Sequence, residues 1–143
     1  MTDARALIAR LGLIPHPEGG WYSETWRAAA ENGARAAGSL IHFLLETGQR
    51  SHWHRVDADE IWLWQRGDRL ALAMAPDATG PVVTTTLGPD PADRWQGVVP
   101  AGHWQAAEPI VGPHGYTLVS CAVMPGFDFA GFELAPPGWS PGG

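Results

Sequence analysis

Apolar side chains recur at helical spacing only in the first dozen residues. Leu7, Ile8 and Leu11 make one stripe, and Gly12 ends it. Thr2 stands where a cap is wanted, with Asp3 in the first turn. The segment from Pro15 to Gly20 is a turn-rich connector that does not continue a helix. After Gly20 the pattern shortens into strand-length runs. Residues 21–27 mix large and polar side chains, and 40–45 is an apolar run interrupted only by His42, as in a strand covered on both faces. Further strands are expected at 51–56, 60–65, 69–75, 82–87, 95–99, 103–107 and 116–123, with Gly, Pro or Asp at the breaks. Phe127, Phe129 and Phe132 follow, expected to pack as a lid or a cross-strand plug, and the last residues are expected to fray. This rhythm predicts an all-β sandwich or barrel with a short N-terminal helix. No linker or repeat divides it, so residues 1–143 are read as one domain.

Composition agrees with that picture. Apolar residues make up 45% of the chain, enough for a real core, and 18 Gly with 13 Pro favour many short strands over a few long helices. A net charge of -6 and a pI near 5.4 exclude a nucleic-acid surface, which needs a basic stripe. No apolar stretch is long enough to span a bilayer, and the first ten residues mix charge into the apolar run, unlike a leader peptide. The single Cys121, among Leu118, Val119, Ala122 and Val123, reads as a buried structural thiol in a reducing compartment. A soluble cytoplasmic protein is expected. The eight Trp residues suggest a pocket or an interface, where indoles are often placed.

Within this frame two imidazoles stand out. His52 and His54 are two apart on an expected strand, so alternation puts them on one face. Glu60 starts the next strand, with Trp62 and Trp64 on its face by the same rule. Two His and a carboxylate can hold a metal, bind an anion or grip a substrate, and the indoles would floor the pocket. Earlier in the chain, Glu18, Tyr22, Glu24 and Arg27 lie on or just before a strand that can neighbour the pocket. Tyr22 and Glu24 share a face, and Arg27 joins them only if a bulge intervenes. His42 reads as a satisfied core residue, and His16 and His114 read as exposed in turns.

The order Gly48-x3-His52-x-His54-x5-Glu60-x6-Gly67 resembles the first motif of the cupins. Pro100-Ala-Gly-His-Trp-Gln105 resembles the second. Four segments together resemble a small cupin group of undefined function: Pro17–Tyr22 with Glu24–Arg27, Ser51–Arg55 with Asp59–Trp62, Val99–Ala106, and Pro125–Phe129 with Phe132–Leu134. The resemblance implies a jelly-roll β-barrel, usually a homodimer, similar in architecture to dTDP-sugar epimerases. It implies a metal set of His52, His54, Glu60 and Gln105, with a divalent transition metal as cofactor. The chain departs from the pattern in two spacers, in lacking the second motif's closing Asn and, more importantly, in placing Gln105 where cupins carry a ligand His; His103 shares its face by alternation. Three functions follow. One is an isomerase or epimerase on a carbohydrate-like small molecule, with His54 as general base and Tyr22, Glu24, Trp62, Trp64 and Gln105 binding the ligand. The others are a metal-dependent oxygenase and a non-catalytic binding module.

Overall fold

A computed structural model of the protein describes residues 3–143. Helix α1 spans Ala4–Leu11. Thr2 lies outside the described residues; Asp3 is the cap, its carboxylate accepting the Ala6 N–H at 2.8 Å. Gly12 closes the helix in the left-handed region at φ 65°. The strands are β1 (Ile14–Pro15), β2 (Trp21–Arg27), β3 (Ser39–Glu46), β4 (Ser51–Val56), β5 (Asp59–Gly67), β6 (Leu70–Ala75), β7 (Val83–Leu87), β8 (Gln96–Val99), β9 (Trp104–Pro109), β10 (Tyr116–Met124) and β11 (Phe132–Leu134). They form two antiparallel sheets, one of order β1-β2-β3-β10-β5-β8 and one of order β11-β4-β9-β6-β7. The expected all-β jelly roll with one short helix is what the chain forms. Strands β1 and β11 are too short for period-2 alternation to announce them.

Between the sheets, Phe43, Leu45, Trp62, Leu70, Leu72, Leu87, Val99 and Val119 make the main core. The helix caps one end, laying Ala4 and Leu7 on Leu44, Tyr116 and Leu118. The C-terminal tail does not fray. Trp139 packs on Trp104 with ring centres 4.4 Å apart and against Trp53 at 6.5 Å, and the Gly142 N–H donates to the Ala78 carbonyl. An indole offers a large apolar area, which is enough to pin a Pro- and Gly-rich tail. The tail thus covers the outer face of the five-stranded sheet.

Two bulges decide which side chains face inward. In β2 the register slips between Glu24 and Trp26, so Tyr22, Glu24 and Arg27 face the interior while Trp26 turns out. In β4 it slips between Ser51 and His54, so Ser51, His54 and Val56 are buried inward. His52 therefore does not share the face of His54, as strict alternation predicted. Its Nε2–H donates instead to the Pro136 carbonyl at 2.9 Å, tying down the tail.

Candidate active site

The connector after α1 is the first surprise of the site. It folds into the barrel. The His16 N–H donates to the Gly20 carbonyl at 2.9 Å and the Gly19 N–H to the His16 carbonyl at 3.0 Å, making a tight turn. The turn docks on β4 through the His52 N–H, which donates to the Glu18 carbonyl at 2.8 Å. Gly19, at φ 111°, lies so close to the Arg50 carbonyl that a Cβ would overlap it. The Pro17-Glu-Gly-Gly20 sequence thus drives two titratable side chains inward. His16 is 8% exposed, not an exposed turn residue, because Tyr22, Phe43 and Phe132 surround its ring at 4.5–6.2 Å.

Beneath the turn lies a cavity of about 660 Å³, lined by His16, Glu18, Tyr22, Glu24, Arg27, His54, Glu60 and Phe127 among others. Of the residues singled out from sequence, Glu18, Tyr22, Glu24, Arg27, His54 and Glu60 line it together. Trp62, Trp64, Gln105 and His52 do not. Trp62 and Trp64 do share the face of Glu60, but they are packed into the core. Trp62 donates its indole N–H to Gln105 Oε1 at 2.9 Å, and Gln105 Nε2 donates to Glu60 Oε1 at 2.9 Å, so the pair supports the carboxyl from behind. The Trp64 indole N–H is used by the Asp68 carbonyl. His42 lies on the outer face of the six-stranded sheet, since Ile41 and Phe43 on either side of it point into the core; its buried Nδ1 has no partner among the described residues.

His54 and Glu18 form the centre of the site. The His54 ring is buried, and its Nδ1–H donates to the His52 carbonyl at 2.7 Å. A carbonyl only accepts, so the neutral ring carries its lone pair on Nε2. That atom lies 3.4 Å from Glu18 Oε2, which also accepts from the Ser51 hydroxyl. His16 has the opposite tautomer: its Nδ1 accepts the Glu18 N–H at 3.1 Å, which leaves the ring hydrogen on Nε2. Burial dominates the charges. It raises the Glu18 carboxyl to about 8 and the Glu60 carboxyl to about 7, with Glu18 adding to the latter. It lowers His16 to about 4, helped by His54, and it lowers His54 as well. The Cys121 thiol, buried against Glu60, is pushed well up and is no nucleophile.

The donor set does not fit a metal of the kind the resemblance implies. His52 faces the tail, and the one ligating atom of Gln105, Oε1, already accepts the Trp62 N–H. Among the described residues, no group of three or more His, Cys, Asp or Glu side chains is placed to hold an ion.

Two antiparallel sheets enclosing this cavity define a jelly-roll β-barrel. The chain matches the family described as cupin superfamily (DUF985) over residues 5–135, and it belongs to that family. It is similar to a crystal structure of a protein from Shewanella oneidensis at 38% identity, covering 94% of this chain and 85% of that one, TM-score 0.85. A hypothetical protein from Leishmania major is similar at 35% identity, covering 94% and 88%, TM-score 0.84. Two more distant structures share the fold: Bacillus subtilis oxalate decarboxylase (11% identity, 84% of this chain and 29% of that one, TM-score 0.63) and CapF bound to 3-isopropenyl-tropolone (11%, 85% and 33%, TM-score 0.66). No curated protein matches the chain. No helix of the described residues is long and apolar enough to cross a membrane.

Proposed function

We propose that the cavity is the active site of an isomerase or epimerase that moves a proton on a small carbohydrate-like ligand. The observation that carries this reading is the buried pairing of His54 Nε2 with Glu18 Oε2 at 3.4 Å on the cavity wall. A neutral imidazole lone pair takes a proton, and a carboxyl held near neutrality returns one. Burying two carboxyls without a cation partner is costly, and such groups are kept where they are used. Tyr22, Glu24 and Arg27 supply polar contacts nearer the mouth, in a volume suited to a sugar-sized molecule. Bacillus subtilis oxalate decarboxylase has Mn(II) centres. The metal-dependent oxygenase reading has less support for this chain, because two of its four expected ligands are committed elsewhere. The test is turnover of aldose, ketose and nucleotide-sugar panels. Conversion by wild type that drops by about 100-fold or more in His54→Ala is expected. Equal conversion by both proteins removes His54 from the chemistry, and tight binding without conversion by wild type turns the barrel into a binding module.

We further propose a cytoplasmic homodimer that pairs through the outer face of the six-stranded sheet. An unbroken cross-strand row, Trp26–Leu40–Ala122–Ile61–Val98, crosses five strands of that face. Trp26 and Val98 are each 55% exposed. The other sheet is covered by its own tail, whereas this row has no cover within the described chain. A self-complementary apolar row is what a two-fold interface needs. Light scattering at micromolar concentration should give a dimer for wild type and a monomer for Ile61→Glu; a monomeric wild type refutes the pairing.

A further inference from the structure

The two imidazoles of the cavity present opposite faces of the same chemistry. His54 shows a lone pair, because its Nδ1–H is tied to the His52 carbonyl. His16 shows an N–H, because its Nδ1 is tied to the Glu18 amide. That N–H belongs to a ring more than nine-tenths buried on the cavity wall, and its Nε2 has no hydrogen-bond partner among the described residues. Both ties run to backbone atoms, one to the Glu18 amide in the turn and one to the His52 carbonyl on β4, so the two tautomers are fixed by the fold.

We propose that His16 Nε2–H binds the carbonyl oxygen of the substrate, which is a small neutral carbonyl compound with a hydrogen on the adjacent carbon, and that the reaction runs through its enolate. This rests on the acid–base reading above and narrows its substrate class. His54 Nε2 takes the hydrogen as a proton. The C–H electron pair becomes a C=C bond to the carbonyl carbon, and the C=O π pair moves onto oxygen. The enolate oxygen is then held by the His16 N–H. Return of a proton to carbon restores the carbonyl, so atoms balance and no oxidant or reductant is needed. A donor fixed at the site of developing charge stabilises the transition state more than the ground state. A neutral imidazole suits the task, since it donates without first losing a proton to the enolate, and burial among Tyr22, Phe43 and Phe132 keeps this one neutral. A hydroxyl oxygen gains less from a pure donor, and an anionic group would meet two carboxyls and no free cation at this depth.

The experiment follows hydrogen exchange by NMR in D2O with dihydroxyacetone, aldoses and 4-keto sugars as probes. Wild type should exchange hydrogen next to a carbonyl. His16→Phe, which keeps an aromatic ring among aromatic neighbours, should lose about 100-fold of that rate. His16→Gln, with an acceptor for the Glu18 amide and an N–H of its own, should recover at least about ten-fold over His16→Phe. Nitrogen-15 shifts of His16 in wild type should show a bare Nδ1 and a protonated Nε2; the reverse tautomer overturns the inference whatever the variants do. His54-dependent turnover with exchange unchanged in His16→Phe overturns the role of His16 and leaves the acid–base reading standing. Turnover and exchange that survive His54→Ala overturn both.

Discussion

Replacing Glu18 by Gln should make the protein more stable and inactive at once. The sign follows from linkage. The Glu18 carboxyl titrates at about 8 when folded, against 4.5 for an ordinary glutamate. The folded state therefore holds a proton that the unfolded chain gives up, and stability is lost as pH rises from 4.5 to about 8. Glu60 adds the same slope up to about 7. His16 opposes it lower down: folding drops its value from 6.5 to about 4, so its contribution is complete above 6.5 and is lost as pH falls towards 4. Burial lowers His54 too, so below pH 6.5 the two imidazoles offset the two carboxyls, and the net decline in stability should fall mainly between pH 6.5 and 8. Glu18→Gln keeps an acceptor for the Ser51 hydroxyl and removes the ionisable proton. Thermal denaturation at pH 8 should show the variant ahead by about 2–4 kcal/mol, with the gap nearly closed at pH 5. Activity should fall by about 100-fold or more, because the amide cannot return a proton. A variant no more stable than wild type at pH 8 would mean that Glu18 is ionised in the folded protein, and the acid role would fail. A stability gain with activity lost is the usual signature of a residue kept for function.

Sequence periodicity located the strands well because Gly and Pro mark nearly every break. It also found that Glu60, Trp62 and Trp64 share a face. It failed where a single extra residue resets the alternation. The bulge between Ser51 and His54 separates two imidazoles that a period of two unites, whereas the bulge before Trp26 supplies the condition on which Arg27 was expected to join Tyr22 and Glu24. Bulges depend on pairing partners far along the chain, so a local pattern does not carry them. His16 and Glu18 were missed or undervalued for a related reason. They sit in a turn, where periodicity assigns no face, and what aims them inward is a hydrogen bond to His52 in another strand. The available signal was the paired glycines after Glu18: a turn that can press on a neighbouring carbonyl needs residues without a Cβ. The Trp residues misled differently. A pocket and a core both favour indoles, and only the Trp62–Gln105 hydrogen bond shows that this one braces the site without lining it.

That brace carries the second large effect. Gln105 stands where cupins carry a ligand imidazole, and here it has become a structural link. Its amide satisfies the Trp62 N–H at one end and the Glu60 carboxyl at the other, all three side chains being buried. Gln105→Leu fills nearly the same volume and leaves both partners unmet. An orphaned buried donor or acceptor costs about 1–3 kcal/mol, so a loss of about 2–4 kcal/mol is expected for the pair by denaturant unfolding. The proton balance should shift with it. The Gln105 hydrogen bond now lowers the Glu60 value against the upward push of burial, so its removal raises that value above about 7. Carbon-13 titration of the Glu60 carboxyl in a near-native variant reads this directly. If Gln105→Leu keeps both wild-type stability and the wild-type Glu60 titration, the link bears no weight, and Gln105 returns as a candidate ligand-facing residue.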